Sequence, residues 1–164
     1  DDISPEIIND SKQLSAKQRT QMAKFIKQHA IAYGIAHITP EKIDEINILQ
    51  ASILAMHLAI DQLNRRPKFI IVDGNKFKPY QKIPHKCIVK GDAKYLNIAA
   101  ASILAKKARD DYMLQIHDDF PQYNWKQNKG YPTQQHIKAI DEHGKNPYHR
   151  MSFQLKRQLK LSFK

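Results

Sequence analysis

Two aspartates each follow a short apolar run that has the length and composition of a buried strand. Asp73 comes directly after residues 69–72, and Asp92 follows residues 87–89 after two intervening positions. Carboxylates brought together at one edge of a sheet repel each other, and a divalent cation is the usual remedy. The pair therefore indicates a metal-binding site. Two turn aspartates are the alternative, because Asp is common in turns.

The chemistry that such a carboxylate pair supports is hydrolysis of a phosphodiester. Mg²⁺ is bound in proteins through one or two carboxylates, together with substrate phosphates and water. Two such ions, about 4 Å apart, can align a water molecule and stabilise the leaving oxygen. The spacing of 19 residues between Asp73 and Asp92 allows both preceding strands to lie in one sheet.

Four further residues are candidates for this site or for binding a polyanion. Asp110 lies within a helical stretch, where a solvated charged face is the alternative. Lys129 and Tyr131 precede a helix start at Thr133; a helix N-terminus favours phosphate and an aromatic ring can stack on a base, whereas an ordinary surface loop is the alternative. Lys12 precedes the first helix and can reach either a phosphate or solvent.

The elements that must position these residues alternate between helices and strands, which is typical of an α/β protein. Strands are predicted over residues 31–38, 68–72 and 87–89, and helices over residues 15–28, 48–64 and 97–120. Thr39 followed by Pro40 predicts another helix start, and a last helix is predicted from Thr133 to Gly144.

Composition narrows the class of protein and of partner. The chain has 164 residues, which is enough for one domain with a core. Lys and Arg number 27 against 16 acidic residues, a net charge of +11, which favours nucleic acid among polyanion partners. The single cysteine favours a reducing cytoplasm. Apolar runs such as residues 98–105 are too short to span a bilayer, so no membrane partner is expected.

Seven segments, in this order, carry a resemblance to a known family. They are "NDSKQL", "DEINILQASILAM", "IIVDGN", "IVKGDAKYLNIAAASILAKKARD", "FPQY", "NKGYPTQQH" and "EHGKNPYHRMSF". Together they resemble bacterial ribonuclease HII from about residue 9 to residue 153. The resemblance implies an RNase H-like α/β fold, a mixed sheet flanked by helices, over residues 1–145, with a basic tail over residues 146–164.

The resemblance also implies an activity and its cofactor. Members cleave the RNA strand of RNA·DNA hybrids, and single ribonucleotides embedded in duplex DNA, with Mg²⁺ or Mn²⁺. Asp73 and Asp92 match the family's catalytic metal ligands, and Asp110 matches an acid close to the metal in some members. A cytoplasmic monomer is expected.

The same comparison assigns the nucleic-acid contacts. Tyr131 matches the tyrosine that contacts the sugar at the RNA–DNA junction, and Lys12 matches a basic position near the substrate backbone. Lys90 and Lys129, beside Asp92 and Tyr131, are expected to contact the nucleic acid as well.

The sequence departs from the family pattern at one place. Two further carboxylates of the family site come from an Asp-Glu-x-Gly-Arg-Gly motif on the first strand, and no such motif occurs in these 164 residues. We expect that the first strands of the fold lie outside this sequence. A protein of these 164 residues alone is expected to fold poorly and to cleave little. Two alternatives stay open: another nuclease of the same fold that acts on DNA, and a hybrid-binding module without catalysis.

Overall fold

The computed structural model describes residues 14–153. Helices and strands follow in chain order as α1 (Ala16–His29), α2 (Pro40–Asp61), β1 (Ile70–Asp73), β2 (His85–Ile88), α3 (Leu96–Asp119), α4 (Trp125–Asn128) and α5 (Gln134–His143). Two 3-10 turns lie at Gly91–Ala93 and Pro121–Tyr123.

Hydroxyl side chains begin three of the helices. The Ser15 hydroxyl accepts a hydrogen bond from the backbone N–H of Gln18, whose side chain in turn accepts one from the Ser15 N–H. Thr39 and Thr133 cap α2 and α5 in the same way, and Gly144 follows the last residue of α5. These contacts confirm the predicted helix starts.

The described sheet has two parallel strands. Ile70 lies opposite His85, and Asp73 lies opposite Ile88. Parallel strands bring their carboxyl ends to the same edge, so the residues that follow β1 and β2 are neighbours in space. The mixture of a parallel sheet with surrounding helices confirms the predicted α/β class.

The strand predicted over residues 31–38 is wrong for the part of the chain that the structure describes. The segment carries no ladder pairing there and lies on α2 instead. The backbone N–H of Ile35 donates to Oε1 of Gln62 at 3.0 Å, and Gly34 lies directly against the carbonyl of Ala59. The apolar residues of this segment predict an extended conformation, but a strand also needs a neighbouring strand.

Within residues 14–153, the buried apolar residues form three clusters around these elements. The first joins α1 to α3, and the second surrounds β1. The third lies where α3 meets α5 and the aromatic residues of the segment 120–125. Their fully or nearly buried members include Met22, Ile26, Ala99 and Ile103 in the first, Ile70 and Val72 in the second, and Tyr123, Trp125 and Ile116 in the third. The β1 cluster supports the strand end that carries Asp73.

One helix among residues 14–153, α2, is long and apolar enough to cross a membrane by length and composition alone. Asn47, with φ 65° and ψ 164°, interrupts it. The uninterrupted part over residues 48–61 rises about 21 Å, against about 30 Å for a bilayer's hydrocarbon core. The helical geometry of α2 therefore gives no support to a membrane span.

Candidate active site

Asp73 is the last residue of β1, and its side chain is tied to the segment that follows β2. The backbone N–H of Gly91 donates a hydrogen bond to Oδ1 of Asp73 at 2.8 Å. The Gly74 N–H donates to the Ile88 carbonyl at 3.0 Å, which continues the pairing of the two strands beyond Asp73. The Asp73 side chain is exposed, so one carboxylate stands at the sheet edge within reach of a ligand.

Asp92 enters the same edge from the 3-10 turn Gly91–Ala93. Its side chain is buried, with the residue only 6% exposed. Gly91 lets the turn pack closely against α3, since a Cβ there would lie 2.7 Å from Cδ1 of Ile98; Oδ1 of Asp73 would be at an ordinary contact distance of 3.6 Å. Because the Gly91 N–H bond ties this turn to Asp73, the two predicted carboxylates belong to one structural unit, the carboxyl ends of β1 and β2 with the turn that follows β2.

The donors at this edge fit a hard divalent cation. Both are carboxylate oxygens, and Mg²⁺ uses one or two carboxylates with phosphate and water completing its shell. Over residues 14–153, no group of three or more His, Cys, Asp or Glu side chains is arranged to hold a metal ion. Asp73 and Asp92 thus fit the protein's share of a site that also needs oxygens from substrate, from water or from outside the described residues.

Asp110 is not brought to this edge. It lies on α3, 14 positions after Leu96, which corresponds to about 21 Å along the helix axis. Its Oδ2 accepts from Nη1 of Arg19 at 3.0 Å, and its Oδ1 accepts from Nζ of Lys106 at 2.9 Å. The described contacts therefore give Asp110 a structural role that joins α1 to α3, and its assignment as a metal ligand stays a prediction that they do not support.

Asp110→Asn is expected to lower the free energy of unfolding by about 1–2 kcal/mol and to leave Mn²⁺ affinity unchanged. The side chains of Arg19 and Asp110 are each only 16% exposed. The substitution therefore leaves the Arg19 guanidinium without its compensating charge in a partly buried environment. Urea unfolding and calorimetric Mn²⁺ titration measure the two quantities. Lost Mn²⁺ affinity with unchanged stability would instead support the prediction that Asp110 is a metal ligand.

The predicted basic contacts differ in their surroundings. Lys90 is exposed next to Asp92 and adopts the left-handed conformation, with φ 56°. Lys129 is half-buried, and its carbonyl accepts from Nη2 of Arg109 at 2.7 Å. Lys12 lies outside the described residues.

Tyr131 presents its ring to solvent from a tightly bonded turn. The residue is 61% exposed, and the Arg109 guanidinium carbon lies 5.6 Å from the ring centroid. Beneath it, Asn128 is buried; its Oδ1 accepts from the Gly130 N–H at 2.8 Å. The described contacts place Tyr131 beside the second half of α3, and they do not place it beside Asp92.

A chain of buried polar rings behind this turn was not predicted from the sequence. The indole N–H of Trp125 donates to Nε2 of His136 at 3.2 Å, and Nε2 of His149 lies 3.2 Å from the same atom. Polar aromatic residues are only moderately often buried, so sequence pattern gave no sign that these three would meet. The one sign of such a cluster in the sequence was the number of aromatic residues in the segment between α3 and α5.

Burial lowers the pKa of His149 to about 4, from 6.5, with the nearby ring of His136 acting in the same direction. A lowered pKa means that the folded protein favours the neutral imidazole. The contribution of His149 to stability is therefore complete above pH 6.5 and is lost as pH falls from 6.5 towards 4.

His149→Gln is expected to show a shallower loss of stability than the unmodified protein between pH 6.5 and pH 4. The difference integrates to roughly 3 kcal/mol, since each whole pKa difference corresponds to about 1.4 kcal/mol. Urea unfolding of both proteins across this range measures it, and the comparison removes the shared titration of carboxylates. If the free energies of unfolding of the two proteins fall in parallel with pH, His149 does not have a lowered pKa in the folded protein.

Comparison with known proteins identifies the family. The family model described as Ribonuclease HII matches residues 5–156. A ribonuclease HII from Christiangramia forsetii is 59% identical over 158 residues, which covers 96% of this chain and 80% of that protein. One from Bacteroides thetaiotaomicron is 55% identical over 164 residues, covering 99% of this chain and 82% of that protein.

Two solved structures share the fold. The ribonuclease H2 of Pyrococcus horikoshii OT3 aligns with a TM-score of 0.75 at 24% identity, covering 89% of this chain and 76% of that one. The ribonuclease HII in a complex with PCNA from Archaeoglobus fulgidus aligns with a TM-score of 0.66 at 20% identity, covering 95% of this chain and 83% of that one. Both likenesses confirm the RNase H-like architecture. The chain therefore belongs to the ribonuclease HII family of metal-dependent endoribonucleases.

Proposed function

We propose that this protein cleaves the RNA strand of RNA·DNA hybrids, and single ribonucleotides embedded in duplex DNA, by two-metal-ion hydrolysis. The observation that carries the proposal is the hydrogen bond between the Gly91 N–H and Oδ1 of Asp73, which joins the two carboxylate-bearing ends of β1 and β2. Membership of the ribonuclease HII family supports the choice of substrate.

Asp73 and Asp92 hold the divalent ions in this proposal, with Mg²⁺ or Mn²⁺ as the cofactor. When bound, such ions supply an activated water and stabilise the leaving oxygen. The exposed Asp73 faces the incoming phosphate, whereas the buried Asp92 keeps its position through the packing of the turn. No side chain of the protein needs to act as a covalent nucleophile.

The remaining surface supplies nucleic-acid contacts. Lys90 and Lys129, together with Lys12, bind backbone phosphates, and the exposed ring of Tyr131 packs on a sugar at the RNA–DNA junction. The net charge of +11 contributes a long-range attraction, so affinity falls steeply as salt rises. We also propose that the protein acts as a monomer in the cytoplasm.

Three duplexes with the same sequence test the proposal: an RNA·DNA hybrid, a DNA duplex with one ribonucleotide, and an all-DNA duplex. Cleavage of the first two, with Mg²⁺ or Mn²⁺ but not with EDTA, is the expected result. Cleavage of the all-DNA duplex would instead favour an RNase H-like nuclease that acts on DNA.

Hybrid binding without cleavage is the second candidate function. The observation that favours it is that no group of three or more His, Cys, Asp or Glu side chains within residues 14–153 is arranged to hold a metal ion. In that case the hybrid binds in a salt-sensitive manner whether or not metal is present, and no duplex is cut.

A further inference from the structure

The exposed Tyr131 stands on a backbone that is fixed from inside the protein. Its carbonyl accepts two hydrogen bonds, one from the Thr133 N–H at 2.8 Å and one from Nδ1 of His136 at 3.0 Å. His136 itself is 4% exposed and lies in the first turn of α5. A buried imidazole thus contacts the residue whose ring faces solvent.

The surroundings of His136 determine which of its nitrogens carries the proton. An indole N–H can only donate, so Nε2 of His136 must accept from Trp125. In the neutral ring the proton is then on Nδ1, where it is directed at the Tyr131 carbonyl. His149 lies against the same edge of the ring: its Nε2 is 3.2 Å from Nε2 of His136, and its Nδ1 contacts both the Asn146 N–H at 3.1 Å and Oδ1 of Asn146 at 2.8 Å.

Arg109 holds the same turn from the opposite, solvent side. Nη2 donates to the Lys129 carbonyl at 2.7 Å, and the guanidinium carbon lies 5.6 Å from the centroid of the Tyr131 ring. The backbone on one side of Tyr131 is therefore held by a hydrogen bond, and the ring has a cationic neighbour, before any ligand arrives. Binding a ligand to a group that is already ordered costs less conformational entropy.

We propose that His136, through its Nδ1–H, is the positioning residue that sets the orientation of Tyr131 for nucleic-acid binding. Trp125 acts one step further back, by keeping the proton of His136 on Nδ1. The inference rests on the proposed contact between Tyr131 and the nucleic acid. It adds a residue that does not itself touch the nucleic acid but acts through Tyr131.

The tautomer can be measured directly and does not depend on any activity. Long-range ¹H–¹⁵N spectra of the histidine rings at neutral pH are expected to show the His136 proton on Nδ1. A His136 proton on Nε2 would overturn the proposal, since the Tyr131 carbonyl would then lack its donor.

Two substitutions of His136 separate positioning from folding. His136→Asn places an amide nitrogen close to the former Nδ1 and keeps the donor to Tyr131, whereas His136→Gln reaches the former Nε2 and keeps only an acceptor for Trp125. Both variants are expected to lose similar stability in urea. Only His136→Gln is expected to weaken binding of a fluorescein-labelled RNA·DNA hybrid in EDTA, by about 10-fold in Kd. Equal weakening in both variants would overturn the positioning role.

A double-mutant cycle with Tyr131→Ala completes the test. If His136 acts through Tyr131, the double variant Tyr131→Ala/His136→Gln binds the hybrid as Tyr131→Ala alone does. If the losses of binding free energy from the two substitutions add, the inference is overturned, while the Tyr131 contact stays in place. An unchanged Kd in Tyr131→Ala would overturn that contact, which belongs to the proposed function, and the inference with it.

Discussion

Asp73→Asn is expected to slow hybrid cleavage by at least about 10³-fold. The reason is that Asp73 would hold a metal ion, and such an ion stabilises the charge of the transition state by several kcal/mol. Asn retains an oxygen that can accept the Gly91 N–H bond, so the turn that carries Asp92 keeps its support. The substitution removes the charge but not the structure. Hybrid binding, which depends on the basic surface, is expected to stay within a few-fold of the original.

Single-turnover cleavage, calorimetric Mn²⁺ titration and hybrid-binding anisotropy measure the three quantities on the same variant. Asp92→Asn is expected to behave like Asp73→Asn in cleavage and Mn²⁺ affinity. Asp110→Asn is the matched control, since it removes one carboxylate of the same type from a place where it pairs with Arg19 and Lys106. Retained cleavage in Asp73→Asn would overturn the metal assignment, whatever the behaviour of the other two.

Local sequence chemistry predicted the helices well because helix ends depend on neighbouring residues. Ser15, Thr39 and Thr133 each place a side-chain oxygen where the first free N–H groups of a helix need one. The order of apolar runs was enough to find β1 and β2 within about two residues, which is normal for element boundaries. Asp73 and Asp92 could therefore be placed at one sheet edge from sequence.

The contacts that could not be predicted from the sequence are those between residues far apart in the chain. Asp110 is the same residue type as Asp73, but only the packing of α1 against α3 places Arg19 within 3.0 Å of it. His136 and Trp125 are 11 positions apart, and no periodicity shows that their ring nitrogens meet. A residue's partner in space is fixed by the whole fold, so residue type alone could not distinguish a metal ligand from a structural ion pair.

The segment 31–38 shows the same limit for backbone. Its apolar residues predicted a strand, yet Ile31 is 79% exposed and the segment rests on α2 within the described part of the chain. Gly34 is the residue that permits this contact. A Cβ at Gly34 would lie 2.0 Å from the carbonyl oxygen of Ala59 and 2.9 Å from its carbonyl carbon. The contact is with helix backbone, which cannot rotate away as a side-chain end can.

Gly34→Ala is therefore expected to lower the free energy of unfolding by about 3 kcal/mol, at the upper end of the usual cost of overpacking. Either the segment must leave α2, which also breaks the bond from the Ile35 N–H to Gln62, or the last turns of α2 must shift. Urea unfolding followed by the fluorescence of Trp125, the single tryptophan, measures the loss. Ile31→Ala is the control in the same segment; because Ile31 is exposed, its substitution is expected to change stability by less than about 0.5 kcal/mol. Equal stability of Gly34→Ala and the unmodified protein would mean that the segment does not lie on α2.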